Sequence, residues 1–221
     1  MTNGNEPIQA LKEIKQMMDR GSRFISLSGR SGIAAGLCAL AAAWIADHKI
    51  NHYTFEDSAG YTEMHGAYIF RDGHRLLANQ LLVIGILTFV AAFFFAFLFT
   101  WHRSRKTGVP VWGFTARKVM INVAVPMLAG SLLIWRIITF GLYGLVVPAC
   151  LLFYGLALIN GSKYTVSEVR YLGYLQLILG AVNLWAMSYS LYFWAAGFGV
   201  LHILYGIIMW NKYERNEKTV V

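Results

Sequence analysis

The stretch that decides the fold runs from Leu77 to Trp101 and reads LANQLLVIGILTFVAAFFFAFLFTW. It contains no charged residue, and it is longer than the roughly 20 apolar residues that a helix needs to cross the hydrocarbon core of a bilayer. Its second half is almost wholly aromatic and aliphatic, which favours a surface that faces lipid. We therefore predict a membrane-spanning helix here.

Five further apolar runs follow the same pattern, and the whole chain is 57% hydrophobic with only 14% charged residues. Soluble domains carry about 25% charged residues, so a soluble protein is excluded as the class. The predicted fold class is all-α, a polytopic transmembrane helical bundle of six spans. The predicted spans are Gly32–Ala46, Leu77–Trp101, Val119–Ile138, Tyr143–Asn160, Tyr171–Tyr189 and Leu191–Trp210.

The basic residues fix the predicted orientation. Fifteen of the nineteen Lys and Arg residues fall on one side of the six spans. The other side keeps Lys49, Arg71, Arg75 and Arg136. Because Lys and Arg accumulate in cytoplasmic loops, both termini are predicted to lie in the cytoplasm. The same bias accounts for the net charge of +8, so no nucleic-acid partner is predicted.

Three regions are expected. Residues 1–30 form a cytoplasmic segment, in which Pro7–Arg20 has apolar residues at helical spacing and predicts an amphipathic helix. Such a helix lies in the membrane interface or packs against the cytoplasmic loops, and both alternatives stay open. Residues 31–210 form the membrane domain, with an outer loop at 47–76, and residues 211–221 form a cytoplasmic tail.

Small residues mark the first span. Gly32 and Gly36 form a GxxxG pair, which lets helices approach closely. This pattern predicts a central, tightly packed helix, with self-dimerisation as the alternative. Pro126 and Pro148 lie inside the third and fourth predicted spans, where a proline kinks or locally breaks a helix.

A faint internal repeat relates the last two hairpins. A glycine and a tryptophan recur 50 positions later, as Gly130/Gly180 and Trp135/Trp185. A Tyr-Gly pair recurs 51 positions later, at 154–155 and 205–206. The second and third hairpins are therefore interpreted as parallel duplicates, which is a known way to build transporters.

Residues 154–174 (YGLALINGSKYTVSEVRYLGY) and 193–215 (FWAAGFGVLHILYGIIMWNKYER) resemble a group of uncharacterised bacterial integral membrane proteins. The stretch from Leu11 to Gly36 is similar as well. The resemblance covers most of the chain except the loop from Asp47 to Arg75. It implies six spans in the bacterial cytoplasmic (inner) membrane, and it carries no activity or catalytic residue.

Candidate ligand-binding residues are the polar groups at membrane depth. His202 lies mid-span, where a neutral imidazole bonded to a neighbouring helix and a ligand or proton contact are both open. Gln176 and Asn183 share one helix face, as interhelical hydrogen-bonding groups or as a binding site. Arg136 is expected to pair with an acid of the outer loop and hold that loop as a lid, or to extend to the headgroups. No acidic residue lies inside a predicted span, which disfavours a cation-coupled pump.

The outer loop holds the candidate metal ligands. His48, His52 and Glu56 are spaced four apart and share a face if the first helix continues outward. His65 and His74 could complete a shell around Zn²⁺ or another divalent ion. The alternative is a solvated loop with scattered histidines, or a hairpin from strand-like residues at 53–55 and 67–70. No other cofactor is predicted.

Three functions follow, in order of preference. The first is a non-enzymatic bundle that binds a lipid, a small hydrophobic ligand or a protein partner, in a sensing or scaffold role. The second is a small-molecule or ion transporter or channel, motivated by the prolines and the repeat. The third is a metal-dependent membrane enzyme that uses the outer-loop histidines. Expected partners are membrane lipids, a second copy of the chain or another protein.

Overall fold

A computed structural model of the chain describes residues 28–56, 63–64, 67–68, 75–107 and 112–215. The predicted amphipathic helix at Pro7–Arg20 lies outside these residues. The helices are α1 (Gly29–Glu56), α2 (Arg75–Thr107), α3 (Phe114–Thr139), α4 (Val146–Gly161), α5 (Glu168–Trp185), α6 (Ser190–Trp194) and α7 (Leu201–Met209).

The end of the chain forms one helical rod at residues 190–214, here called the terminal rod. It comprises α6, a π-helical segment at Ala195–Val200, α7 and a second π-helical segment at Trp210–Glu214. Short 3₁₀ turns at Tyr143–Leu145, Ser162–Tyr164 and Met187–Tyr189 link the elements around it. The described part of the protein is therefore all-helical apart from one pair of two-residue strands.

Five helical segments of the described part are long and apolar enough to cross a membrane. They are Gly29–Asn51, Leu77–Arg105, Phe114–Thr139, Tyr143–Tyr164 and Met187–Tyr213. Helix α5 has 18 residues but carries two charged residues and two amides, which lower its hydropathy. The all-helical prediction is thus confirmed for the described residues, and five helices are suited to a membrane as predicted, while α5 has the length but not the composition of a typical span.

The helix boundaries follow the predicted spans, with two differences. Helix α1 extends ten residues beyond the predicted end at Ala46, to Glu56. Pro148 does not interrupt the fourth span, because it is the third residue of α4. The first N–H groups of a helix have no intrahelical acceptor, so a proline there loses no hydrogen bond. Pro126 does lie within α3, which continues on both sides of it.

Helix α2 lies at one edge of the bundle and packs on α1. Its large side chains are exposed, with Phe93 at 66% and Phe89 at 60%. In a membrane these side chains contact acyl chains, so the prediction of a surface that faces lipid agrees with the structure. Helix α3 lies at the other edge and packs on α4.

Helices α4 and α5 meet where glycine removes the side chain. A Cβ atom placed on Gly155 would lie 2.8 Å from the carbonyl oxygen of Gly173 and 3.0 Å from the backbone nitrogen of Leu177. Such distances are too short for a real Cβ contact, so the two backbones can approach this closely only with glycine. Tight backbone packing of this kind drives helix association in lipid, where the hydrophobic effect between helices is absent.

The terminal rod meets α1 in the same way. A Cβ atom on Gly206 would lie 2.6 Å from the carbonyl oxygen of Gly29 and 2.6 Å from the backbone nitrogen of Ile33. Gly36 likewise faces the rod, since a Cβ atom added to it would lie 3.0 Å from the nitrogen of Ile203. The predicted close packing of the first span is therefore present, and its glycines are used within one chain.

The two interfaces correspond position by position. Gly206 follows Gly155 by 51 positions. On the facing helices, Gly173 and Leu177 of α5 follow Gly29 and Ile33 of α1 by 144 positions each. A further pair obeys the same offsets, because a Cβ atom added to Gly180 would lie 3.0 Å from the nitrogen of Leu152, just as one added to Gly36 would lie from that of Ile203. The offset of 51 agrees with the predicted repeat, and the contacts add that α1 is the packing counterpart of α5.

Part of the outer loop folds back over the bundle. The strands β1 (Glu63–Met64) and β2 (Ala67–Tyr68) pair antiparallel, with Glu63 opposite Tyr68. Strand β2 lies against the 3₁₀ turn Tyr143–Leu145 between α3 and α4. The strand alternative for residues 53–55 is wrong, because these residues are helical.

Candidate functional site

Two features of the bundle are candidate functional sites. The first, the central cluster, consists of Tyr154, Gln176, Gly197, Phe198 and His202. The second, the lateral groove, lies between α1 and α2 and is lined by Ile45, Lys49, Asn79, Gln80, Val83 and Ile84.

The central cluster begins with Gln176, whose side chain is fully buried at 0% exposure. Its Nε2 donates a hydrogen bond of 2.8 Å to the carbonyl oxygen of Gly197 in the terminal rod. A Cβ atom on Gly197 would lie 2.7 Å from Oε1 of Gln176 and 2.5 Å from a methyl group of Leu151. A side chain at 197 would therefore displace the end of Leu151 or of Gln176, so glycine at this position lets both side chains approach the rod.

The π-helical segment Ala195–Val200 exposes this carbonyl. A π-helical turn is wider than an α-helical turn, and such turns are frequent at functional sites. The imidazole of His202, five residues beyond Gly197, places Nδ1 2.9 Å from the same carbonyl oxygen. One backbone oxygen thus accepts hydrogen bonds from two side chains of different helices.

These contacts assign the histidine tautomer. A carbonyl oxygen can only accept, so Nδ1 of His202 carries the proton, and Nε2 of the neutral ring is the acceptor. The hydroxyl of Tyr154 on α4 lies 2.8 Å from Nε2 and donates to it. The chain from Tyr154 through His202 and Gly197 to Gln176 therefore joins three helices.

Aromatic rings enclose this chain. The ring of Phe198 lies 5.3 Å from that of Tyr154 and 6.0 Å from that of His202. Trp194 packs on Phe198 at 5.7 Å. The rings surround the imidazole with apolar surface, where each hydrogen bond is electrostatically stronger than in water.

Two buried polar atoms near the cluster lack partners among the described residues. They are Oε1 of Gln176 and the hydroxyl of Tyr205. Tyr205 packs in a buried apolar group with Val166, Leu172 and Met209. An unpaired polar atom away from water costs free energy, so these two positions are the unsatisfied points of an otherwise closed network.

Asn183, predicted beside Gln176, is also fully buried but serves a different contact. Its Nδ2 donates to the carbonyl of Ala186 at 3.1 Å and to the hydroxyl of Ser190 at 3.2 Å. It therefore holds the turn that connects α5 to the terminal rod. Gln176 and Asn183 lie on one face, as predicted, and both bond across to the next helix.

Arg136 lies apart from the central cluster. It is exposed in the last turn of α3, and its guanidinium carbon sits 4.4 Å from the centre of the Phe140 ring. The predicted lid pairing involves outer-loop acids whose side chains, Asp47 excepted, lie outside the described residues. Asp47 itself accepts a hydrogen bond of 3.1 Å from Asn51.

The predicted metal ligands fall largely outside the described side chains. Helix α1 does continue through His48, His52 and Glu56, so their backbones follow one helical face as predicted. His48 is exposed, and its ring stacks on Trp44 with centroids 6.4 Å apart. His65 lies outside the described residues. Among the described residues, no group of three His, Cys, Asp or Glu side chains could hold a metal ion.

At the N-terminal end of α5, Glu168 connects that helix to the terminal rod. Its carboxylate contacts the ammonium of Lys212 and lies 3.2 Å from the hydroxyl of Tyr213. Burial alone would raise the pKa of Glu168, but hydrogen bonds from Lys212 and Tyr213 and the positive charge of Lys212 hold that pKa below its usual range. The acid also lies in the first turn of α5, where the helix dipole favours a negative charge.

The lateral groove has a volume of about 340 Å³ and opens on the side of the bundle. Lys49 and Asn79, both exposed, line the end nearest the outer loop. Ile45, Val83 and Ile84 line the part nearer mid-span. Because α1 and α2 run antiparallel, Lys49 and Asn79 lie at the same end of the groove, whose lining surface is almost wholly apolar.

No family model, curated protein or solved structure matches this chain. The resemblance to bacterial integral membrane proteins therefore stays a prediction, and the two features above must be interpreted from their own chemistry.

Sequence reasoning found Gln176 and His202 but missed Tyr154, Gly197 and Phe198 as members of the cluster. A tyrosine within an apolar span is a usable signal, because a buried hydroxyl needs a partner. The same signal points equally to Tyr205, which has none among the described residues. The lateral groove could not be found, because it depends on which helix lies beside α1.

Proposed function

We propose that this protein is a non-enzymatic, six-span bundle of the bacterial inner membrane that binds lipid in the lateral groove. The observation that carries the proposal is the contrast between the two features. The central polar groups are engaged in bonds between helices, whereas the groove is open, lies within the membrane-spanning segments and is aliphatic at mid-span.

The sixth span of this proposal is α5. The helix contacts α4 and the terminal rod in antiparallel order, and short 3₁₀ turns join it to both. Both neighbours have the length and composition of membrane spans. With 18 residues at 1.5 Å each, α5 reaches about 27 Å, close to the thickness of the hydrocarbon core. Its two amides, Gln176 and Asn183, are tolerated because they are fully buried against protein rather than lipid, and its two charged residues lie in its first turn.

An even number of spans puts both termini on one side of the membrane. The positive-inside bias of the sequence makes that side the cytoplasm. With this orientation the lateral groove, with Lys49 near its outer end, lies in the outer half of the bilayer. A sensing or scaffold role, with a second copy or another protein as partner, remains compatible with this arrangement.

The proposal is tested by placing a large side chain in the groove. Val83 and Val90 lie on the same helix with similar exposure, 54% and 57%, but only Val83 lines the groove. We expect Val83→Trp to lose the lipids that wild type retains through detergent exchange, as measured by native mass spectrometry, and Val90→Trp to keep them. Equal retention by both variants, or no retained lipid in wild type, would contradict the proposed function.

Transport is the second candidate. The π-helical segment at Ala195–Val200 and the repeated glycine interfaces favour it, since wide turns and parallel repeats occur in transporters. Solute flux in liposomes that disappears in Val83→Trp but not in Val90→Trp would assign the groove to a transport path instead.

A further inference from the structure

The π-helical segment Ala195–Val200, here called the π turn, changes the backbone bonding of the terminal rod. In an α-helix the carbonyl oxygen of Gly197 accepts the N–H of Leu201, four residues later. In the rod that N–H donates to the carbonyl oxygen of Ala196 instead, five residues back. The π turn therefore leaves the oxygen of Gly197 without the backbone donor that an α-helix supplies.

Two side chains bond to this oxygen in place of the backbone donor. Nε2 of Gln176 and Nδ1 of His202 lie 2.8 Å and 2.9 Å from it. A carbonyl oxygen has two lone pairs, so it cannot also accept the N–H of Leu201. The two side-chain bonds and the α-helical register therefore exclude each other, and these bonds stabilise the π turn.

The internal repeat contains one additional residue in the same part of the chain. Gly180 and Trp185 follow their repeat counterparts by 50 positions, whereas Gly206 follows Gly155 by 51. A turn closed by bonds between residues five apart holds one residue more than a turn closed by bonds between residues four apart. The counterpart of the rod, α4, is α-helical over its whole length. The π turn therefore accounts for the additional residue.

The rod is held unequally on the two sides of the π turn. After it, Gly206 packs on the backbone of α1, and Met209 is buried at 1% exposure. Before it, α6 contains no buried residue, and Tyr192 is 67% exposed. A change of register in the π turn therefore moves α6, while α7 keeps its place.

We propose that the π turn is a register switch, held in its present state by Gln176 and His202. When both side chains release the oxygen of Gly197, the N–H of Leu201 bonds to it and the segment becomes α-helical. Each N–H of the turn then exchanges its acceptor for the neighbouring carbonyl oxygen, so the backbone keeps its number of hydrogen bonds. As a result α6 rotates by about 100° and advances by about 1.5 Å, the step of one residue in an α-helix.

Such a switch connects the central cluster to the end of the bundle at which α6 begins. Ser190, the first residue of α6, accepts a hydrogen bond of 3.2 Å from Asn183 of α5. The rotation breaks this bond, so the connection between α5 and the rod changes with the register. An element with two discrete arrangements is the physical basis of coupling between distant parts of a protein. The register switch does not depend on ligand binding in the lateral groove.

Distances between spin labels test the register. The labels are attached to pairs of introduced cysteines in a background without native cysteines. The reporting position is Tyr192 on α6 and the control position is Leu204 on α7. Each is paired with Leu37 on α1 and, separately, with Val182 on α5. All four residues are between 50% and 67% exposed, so the labels leave the packing intact.

The double variant Gln176→Leu/His202→Leu removes both donors, and leucine is also the residue at the repeat counterpart of His202, Leu151. We expect at least one distance from Tyr192 to shift, because a rotation of about 100° moves a Cα atom, about 2.3 Å from the helix axis, by about 3.5 Å. Both distances from Leu204 should stay unchanged. Unchanged distances from both positions, or equal shifts at both, would overturn the switch, because the donors then set no register or place the whole rod.

A second experiment removes the additional residue and applies even where the double variant does not fold. Deletion of Ala196 should convert the π turn into an α-helical turn while the residues on either side keep their places. Deletion of Leu204, the matched control, misaligns Gly206 and Ile203, which both contact α1. We expect the first variant to elute as one species, with wild-type distances from Tyr192 and a higher melting temperature than the second. An equal loss of melting temperature in both variants would contradict the register switch.

Discussion

At the scale of single residues, two tyrosines at repeat-related positions have opposite environments. Tyr154 donates its hydroxyl to the Nε2 atom of His202. Tyr205, 51 positions later, buries a hydroxyl that has no partner among the described residues. At equivalent repeat positions, the hydroxyl of Tyr154 therefore stabilises the folded state, whereas that of Tyr205 destabilises it.

This contrast gives a prediction. Tyr154→Phe should lower the free energy of unfolding by about 0.6–1.7 kcal/mol, the range of side-chain hydrogen bonds inside membranes, because Nε2 of His202 loses its donor. Tyr205→Phe is the matched control and should be neutral or stabilising, since it removes a buried hydroxyl without a partner. Equilibrium unfolding in mixed micelles measures both, and equal losses for the two variants would contradict the assigned tautomer and network.

At the scale of elements, glycine contacts decide which helices lie side by side. The pairs α4–α5 and α1–terminal rod use backbone atoms at matching positions. The GxxxG pattern in the first span predicted a close partner correctly, but it could not name the partner. The terminal rod is that partner, so the first and last spans of the chain close on each other.

The corresponding prediction uses alanine, the smallest side chain with a Cβ atom. Gly206→Ala should destabilise the protein by roughly 1–3 kcal/mol, as overpacking does, because the added carbon meets the backbone of α1. Gly155→Ala should cost a similar amount at the equivalent interface. Gly85→Ala has no atom within 4 Å of its added carbon, and it should be neutral or slightly stabilising because alanine favours a helix over glycine.

Thermal unfolding in one detergent ranks the three variants. A loss in Gly85→Ala as large as that in Gly206→Ala would show that helix propensity or detergent, rather than interhelical packing, governs the result. A loss in Gly206→Ala alone would contradict the equivalence of the two interfaces.

At the scale of the whole molecule, the status of α5 fixes the topology. With six spans, both ends of the membrane domain lie on one side, whereas with five they lie on opposite sides. Exposed positions in the turns on either side of α5 distinguish the cases, and Lys163 and Ser188 are suitable.

Single cysteines at these positions, in a background without Cys38 and Cys150, should label from opposite sides. We expect Ser188→Cys to react with an impermeant thiol reagent in intact cells and Lys163→Cys to react only in inverted vesicles. Labelling of both from the same side would show that α5 does not cross, and the six-span topology would be wrong.

The sequence alone predicts the membrane class, the approximate ends of the helices and the charge bias. These are local properties, because a helix in lipid satisfies its backbone within one segment and needs a continuous apolar run to do so. It also identified Gln176 and His202, since polar residues at membrane depth are rare and stand out.

Which distant residues contact each other depends on the packing of the helices. Tyr154 and His202 are 48 positions apart, and their contact depends on glycines that bring α4, α5 and the terminal rod together. The lateral groove needs α2 beside α1, and the network needs a π-helical turn at Gly197. No local sequence pattern predicts the contact, the groove or the turn. The free energy that fixes them comes from close packing between distant segments, and not from the composition of any one segment.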